Sequence, residues 1–218
     1  MMRTMLVDDH AAFREPVAFM IDQEPDMTVI AQAESLAEGR EVLSRVGGSV
    51  DLAIIDLDLP DGNGIDLIDD LHAANRDALA LVLSAYSEQE RTAEAVAAGA
   101  AGVLHKSARV GEVIEAARRL GAGEQLLSAT EIAQLSRLAY RQRREDDRAR
   151  AMIGRLTPRE LDVLQALAEG LSDKDIAKRL YIGAGTVRFH MVNILTKLEA
   201  ASRLQALVFA VRHDLVKI

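Results

Sequence analysis

Met5-Leu-Val-Asp-Asp-His10 decides the fold, because three apolar residues run straight into two aspartates. The same ending recurs far downstream, with Asp56 after Leu52-Ala-Ile-Ile55 and Lys106 close behind Ala100-Ala-Gly-Val-Leu-His105. In an open parallel α/β sheet the carboxyl ends of neighbouring strands converge on one crevice, so residues far apart in sequence can meet there. Three carboxylates in one crevice repel each other unless a divalent cation joins them, and a lysine is a suitable point charge for phosphoryl oxygens. The arrangement predicts a phosphoryl-accepting site.

Outward from those strand ends, short apolar runs at 3–7, 28–33, 52–56, 79–84 and 101–104 alternate with longer helical patterns. Such alternation predicts five parallel strands joined by helices. Ser35-Leu-Ala-Glu38 reads as a capping box opening one helix, and Gly99 stands where another should stop. Pro60-Asp-Gly-Asn-Gly64 is dense in turn residues, which predicts an exposed loop that leaves Asp56 accessible.

The 218 residues suit two domains. The hydrophobic share of 49% fits globular cores, and no apolar stretch approaches the ~18 residues of a membrane helix. Without cysteine there are no disulfides or thiolate metal sites, and MMRTMLVDDH lacks the apolar core of a secretory signal. A cytoplasmic location without membrane contact is expected. The net charge of −8 is unevenly spread: residues 1–120 carry 10 Lys+Arg against 22 Asp+Glu, whereas residues 155–218 carry 10 against 7. The acidity belongs to the first half, and a mildly basic second half can meet a polyanion where its cations cluster.

Residues 121–154 connect the halves. Ser128-Ala-Thr-Glu131 reads as a capping box, and Ile132, Leu135 and Ala139 recur at helical spacing before RQRREDDRAR abandons apolar residues. A helix running into a charged, solvated linker is expected, since the mixed signs argue against a nucleic-acid arm. From 155 onward, Thr157-Pro-Arg-Glu160 offers an N-cap, a proline at the first helical position and a capping-box glutamate, with Gly170 ending that helix. Ser172 to Asp175 opens a second, short helix. After Tyr181-Ile-Gly183 a third carries Val187, Met191, Ile194 and Leu198 on one side, and Ser202 to Gln205 opens a fourth.

LVDDH at 6–10, DLDLPDGNG at 56–64, SA at 84–85 and VLHK at 103–106 resemble the receiver domain of two-component response regulators over residues 1–120. The resemblance implies a doubly wound, flavodoxin-like α/β fold in which Asp56 takes a phosphoryl group from a sensor histidine kinase. Asp8, Asp9, Asp56 and the Asp58 carbonyl would arrange Mg²⁺, Ser84 would bond the phosphoryl group, and Lys106 would balance its charge. Mg²⁺ wants six oxygen ligands and keeps several waters, so two or three protein oxygens suffice. Receivers usually carry Tyr or Phe three residues before the lysine, a ring that turns inward as the hydroxyl residue moves. Here that switch position is Val103, with Tyr86 a partial stand-in, and Ser107 replaces the usual proline.

LTPRELDVLQALAEGLSDKDIAKRLYI with TVRFHMVNILTKL resembles the LuxR-type helix-turn-helix of the NarL/FixJ class, over residues 155–218. That likeness implies a small all-α domain whose third helix enters the major groove of double-stranded DNA, which is wide enough to admit it. Arg188, Phe189 and Val192 occupy positions that face base edges. Lys174, Thr186, His190, Lys197 and Arg203 are the expected phosphate contacts, which supply affinity without sequence information. Gly183 stands where the class often has a serine N-cap, Val192 removes a polar or basic side chain, and Glu199 replaces a glycine.

A lone aspartate pair after an apolar run is more often a helix cap or a solvated strand end, and a lone lysine a solvated surface group. Order and spacing together carry the functional reading. The expectation is a non-enzymatic transcription regulator, a homodimer on paired half-sites, whose phosphorylation controls dimerisation and DNA binding. Two other readings compete. One is a regulator gated by a partner or ligand without phosphorylation, which Val103 favours. The other is a haloacid-dehalogenase-like phosphatase, suggested by Asp56-Leu-Asp58, but there the paired aspartates follow the motif and here they precede it.

Overall fold

The computed structural model describes residues 1–84 and 89–217, and the chain divides into two compact units, Met1–Gln142 and Arg143–Ile218. The strands of the first unit are β1 (Met2–Val7), β2 (Met27–Ala33), β3 (Leu52–Asp56), β4 (Asp58–Leu59), β5 (Gly62–Asn63), β6 (Leu79–Ser84) and β7 (Gly102–His105). Five of them form one sheet in the order β2-β1-β3-β6-β7, every pairing parallel. Helices α1 (Ala11–Asp22), α2 (Leu36–Val46), α3 (Asp66–Ala74), α4 (Gln89–Ala97) and α5 (Val110–Gly121) make the crossovers. This is the doubly wound, flavodoxin-like order that the alternation of apolar runs predicts.

Burial on both faces explains why the strands read as unbroken apolar runs. In β3, Leu52 and Ile54 pack with Val17 and Ile21 of α1 and Val113 and Leu120 of α5. Ala53 and Ile55 pack on the other face, with Leu43 of α2, Leu67, Ile68 and Leu71 of α3 and Ala95 of α4. Each fully buried Leu or Ile contributes about 1.5–3 kcal/mol relative to exposure. Two opposed cores sandwich the sheet between helices and leave its carboxyl edge as the place where polar groups gather.

The loop after β3 is more ordered than its turn residues suggest. Asp58 pairs with Asn63 and Leu59 with Gly62 as a short antiparallel hairpin of β4 and β5, with Leu59 buried in the core. Asp61, between them, accepts bonds from Leu36 N (2.7 Å) and Ala37 N (2.9 Å). The loop therefore caps α2, and the Ala37 and Leu36 amides hold the Asp61 carboxyl below its usual range. Ser35 Oγ also accepts from Glu38 N at 3.2 Å, but the Glu38 carboxylate reaches Glu34 N at 2.8 Å. Gly64 is required by close approach: a Cβ there would overlap the Asp56 carbonyl oxygen. Gly99 ends the α4 segment at φ +106°, where glycine carries no steric cost.

Helix α6 (Ala129–Ile153) runs through the charged stretch without a break. Ser128 Oγ accepts from Glu131 N at 3.2 Å and Glu131 accepts from Ser128 N at 2.8 Å, the expected capping box. The run RQRREDDRAR is helical because Arg, Gln, Glu and Ala are helix formers and no Gly or Pro interrupts them. Beyond it lie α7 (Pro158–Ala168), α8 (Asp173–Arg179), α9 (Ala184–Lys197) and α10 (Arg203–Arg212). Val163, Leu164, Ile176, Val187, Met191, Ile194, Leu198, Ala206 and Ala210 form one core among them.

Each of these last four helices starts where the sequence places its cap. Thr157 and Glu160 exchange reciprocal bonds at the head of α7, Ser172 accepts from Asp175 N, and Ser202 accepts from Gln205 N. Gly183 precedes α9 with no side chain to cap it. Glu199, where the class has glycine, adopts φ +52°, a left-handed conformation that strains a non-glycine residue. Glu160 is buried and bonds Lys197 Nζ at 2.7 and 2.9 Å. Burial alone would raise its carboxyl, but the Lys197 ammonium and the Thr157 amide and hydroxyl hold it below the usual range.

Gly64→Ala is expected to lower stability by about 1–3 kcal/mol through overpacking against the Asp56 carbonyl, measured by denaturant unfolding. Because Glu160 is held low in the fold, its contribution is whole above the unfolded-chain value of about 4.3 and disappears as pH drops through the lower folded value. The difference in thermal midpoint between the native chain and Glu160→Gln should therefore shrink on acidification from about pH 6 to pH 3; a constant difference would contradict it.

Candidate functional site

The carboxyl ends of β1, β3 and β7 bring the sequence-predicted residues together. Lys106, whose amide is bonded to Ser84 O at 2.8 Å, places its ammonium on Asp56 Oδ2 as an ion pair. Asp56 Oδ1 accepts from Asp58 N at 3.2 Å. Asp8 and Asp9 follow β1, and the ligand-capable atoms of Asp8, Asp9, His10 and Asp56 all lie within 4.8 Å of one another. Asp8 is buried and its Oδ2 has no hydrogen-bond partner among the described residues, so a buried carboxylate oxygen is left for something else to satisfy.

One expectation is corrected: Asp56 is not accessible. Its exposure is 0%, because it closes a central strand and Lys106 lies over it. Burial pushes the Asp56 carboxyl up, opposed by Lys106 and the Asp58 amide and reinforced by Asp8. The ammonium of Lys106 is disfavoured by burial but held by Asp56, with Asp8 and Asp9 adding to it, so its net direction is upward. A crevice that strains its carboxylates and keeps a cation in contact with them is chemically prepared for a ligand that brings both signs of charge, such as a phosphoryl group with a divalent ion. Three clustered carboxylates and an unpartnered buried oxygen fit a hard divalent cation of the Mg²⁺ kind.

Three residues that the sequence reading missed shape this edge. Arg14, in the first turn of α1, donates to the Asp8 carbonyl and lies 3.7 Å from Glu34. Arg91 of α4 donates to Leu57 O at 2.7 Å and pairs with the Asp58 carboxylate, so the Asp58 side chain is engaged from α4. His10 sits 2.5 Å from Asp9 Oδ1 through its Nδ1 and 3.5 Å from Lys106 Nζ. His10 was available to sequence reasoning as the residue next to the aspartate pair. Arg91 was not, being 33 residues from Asp58 with no periodic relation to it.

Ser84 is buried at the end of β6. Val103, half-buried in β7, packs against the core shared by α2, α3 and α4. Ser84 and Val103 line a cavity of about 630 Å³ whose far side includes Leu135 and Leu138 of α6. Val103 thus faces this cavity with a side chain smaller than an aromatic ring. Tyr86, the candidate stand-in, and Ala85 lie outside the described residues.

On α9, Val187, Met191 and Ile194 are buried, while Thr186, Arg188, Phe189 and Val192 are exposed. Phe189 and Val192 are 62% and 60% exposed, an apolar pair one helical turn apart beside a guanidinium. His190 is half-buried and meets Phe189 edge-on at 6.1 Å between ring centres. Lys174 is exposed on α8. Two of the expected phosphate contacts are occupied within the protein: Lys197 holds Glu160, and Arg203 is bonded to Asp173 at 2.5 and 3.1 Å. The Arg203 bond, with Arg188 nearby, keeps Asp173 below its usual range. Among the described residues no helix is long and apolar enough to cross a membrane.

Comparison with known proteins places both halves of the chain in families. Residues 4–118 match the family described as the response regulator receiver domain, and residues 154–210 match the bacterial regulatory proteins of the luxR family. The chain is 34% identical over 212 residues to the DNA-binding transcriptional activator DevR/DosR of Mycobacterium tuberculosis, covering 96% of this chain and 94% of that one. It is 33% identical over 207 residues to the nitrate/nitrite response regulator protein NarL of Escherichia coli, covering 94% and 93%. The crystal structure of a LuxR-family two-component response regulator from Aurantimonas sp. superposes with a TM-score of 0.52 at 28% identity, over 65% of this chain and 96% of that one.

Proposed function

The chain belongs to the DNA-binding transcriptional response regulators of the NarL class, a receiver domain joined to a LuxR-type helix-turn-helix, and from that premise we propose that phosphorylation of Asp56 by a sensor histidine kinase controls its dimerisation and DNA binding. The observation that carries this reading is the crevice itself, with buried Asp56 beneath Lys106 and beside an unpartnered oxygen of Asp8. The receiver is taken as residues 1–120, the connecting segment as 121–154 and the DNA-binding domain as 155–218. The family is one of transcription regulators, not enzymes.

An Asp56 carboxylate oxygen attacks phosphorus, the P–N bond to the donor imidazole breaks, and an acyl phosphate forms. Asp8, Asp9 and Asp56, with the Asp58 carbonyl, would hold Mg²⁺, which when bound neutralises charge on the transferring group. Lys106 exchanges its bond to the carboxylate for one to a phosphoryl oxygen, and the Ser84 hydroxyl donates to another. Those movements alter the surface around Ser84 and Val103, and they act on DNA binding by favouring one of two receiver states. Dimers then meet paired half-sites in double-stranded DNA. Arg188, Phe189 and Val192 face base edges, and Lys174, Thr186 and His190 face phosphates, with Lys197 and Arg203 joining them where their internal partners release them.

A second reading, gating by a partner or ligand without phosphorylation, is favoured by the cavity beside Val103. Incubation of the whole chain with Mg²⁺ and a small phosphodonor separates the two. Intact mass should show one acid-labile phosphoryl adduct that Asp56→Asn lacks, and duplex affinity should rise with the adduct; an adduct with unchanged DNA affinity would favour gating by other means. Arg188→Ala should weaken specific duplex binding by about 1–3 kcal/mol and relax the preference at one base pair, read by fluorescence anisotropy against a set of single-base variants.

A further inference from the structure

His10 is given no task by phosphoryl transfer, yet its imidazole lies within the acidic crevice. Its Nδ1 is 2.5 Å from Asp9 Oδ1 and 3.4 Å from Asp8 Oδ1. Its backbone amide donates to Asp8 Oδ1 at 2.8 Å, a tight turn that brings the ring back over the aspartate pair. Outside the acidic crevice no structural task occupies it among the described residues. His10 is the N-cap residue of α1 but makes no side-chain cap bond among the described residues, and its side chain is 62% exposed, so it fills no core.

Asp8 Oδ2, without a partner among the described residues, is an independent sign that a ligand completes this cluster, because a buried carboxylate oxygen without a partner is costly. Of the four side chains whose ligand atoms gather within 4.8 Å, three offer carboxylate oxygen and one offers imidazole nitrogen. Mg²⁺ is hard, prefers oxygen and sheds water reluctantly. Divalent transition ions accept oxygen and imidazole nitrogen together, and later members of the series bind mixed sites more tightly.

We propose that His10 is a nitrogen ligand of this cation site, so that the crevice prefers divalent transition ions to Mg²⁺, with Mn²⁺ serving as the paramagnetic probe of that ligand. The inference rests on the cation site described under the proposed function. With an ion present, the ring turns from Asp9 to the metal, and Asp9 is released to coordinate as well. Mg²⁺ uses the carboxylates alone and gains nothing from the imidazole. The identity of the loaded ion is then set by His10 and the presence of an ion by Asp8, Asp9 and Asp56.

The full chain, without phosphodonor, is titrated with Mn²⁺ alone and with Mg²⁺ in competition, and bound Mn²⁺ is examined by pulsed electron paramagnetic resonance. The native chain should show nitrogen hyperfine coupling to Mn²⁺. In His10→Ala the coupling should vanish and Mn²⁺ affinity should fall roughly tenfold or more, with Mg²⁺ affinity unchanged and the circular dichroism spectrum preserved. Mn²⁺ bound to the native chain without nitrogen coupling, or equal weakening of both ions in His10→Ala, overturns the role of His10 and leaves the carboxylate site standing. Failure of the native chain to bind either ion overturns both.

Discussion

Three aspartates from two strand ends share one crevice, and that enforced proximity organises the receiver half of the molecule. Like charges within a few ångströms are tolerable in water and increasingly unfavourable as the surroundings become less polar. With Asp56 and Asp8 both buried, the crevice needs cations. Lys106 comes from β7, across the sheet, to sit on Asp56, and Arg14 comes from α1 to the Asp8 carbonyl. The fold supplies these partners because parallel strands deliver their carboxyl ends to the same side, and the two apolar cores keep the strands in register beneath them.

The turn after β3 carries the same constraint outward. Gly64 returns against the Asp56 carbonyl, Asp61 caps α2, and Arg91 joins Leu57 and Asp58 to α4. Helices α2 and α4 and the carboxyl end of β3 are thus tied through one short loop. Val103 departs from the aromatic that receivers commonly carry, and the space beside it opens onto α6. Arg91 of α4 also reaches the turn at Asp58, so the acidic crevice and that helix share one ion pair.

The helical unit obeys different physics. It is small, and defined helix termini add to what its core contributes: Thr157, Ser172 and Ser202 each cap a helix. The buried Glu160 serves both as capping-box partner and as the anchor for Lys197. On the exposed side of α9 stand Thr186, Arg188, Phe189 and Val192. An apolar pair kept in solvent next to a guanidinium suits a partner that offers both methyl groups and hydrogen-bond acceptors, as base edges in the major groove do.

Much of this was legible in the amino-acid order. Strand runs buried on both faces, cap residues three positions before their partners, glycines at left-handed turns, and aspartates and lysine at strand ends are all local signals, and the backbone obeys them locally. The aspartate pair, Asp56, Ser84 and Lys106 could be placed on one edge because a parallel sheet leaves few other arrangements. The rest belongs to the tertiary structure. The burial of Asp56 under Lys106, the cap that Asp61 places on α2, the reach of Arg91 to Asp58, and the pairing of Lys197 with Glu160 and Arg203 with Asp173 join residues with no periodic relation in sequence. Their partners are chosen by packing, since a long side chain takes whichever opposite charge the folded backbone brings within reach. Local chemistry determined which elements form and which groups stand at the edge; only the packed strands and helices decided which of those groups touch.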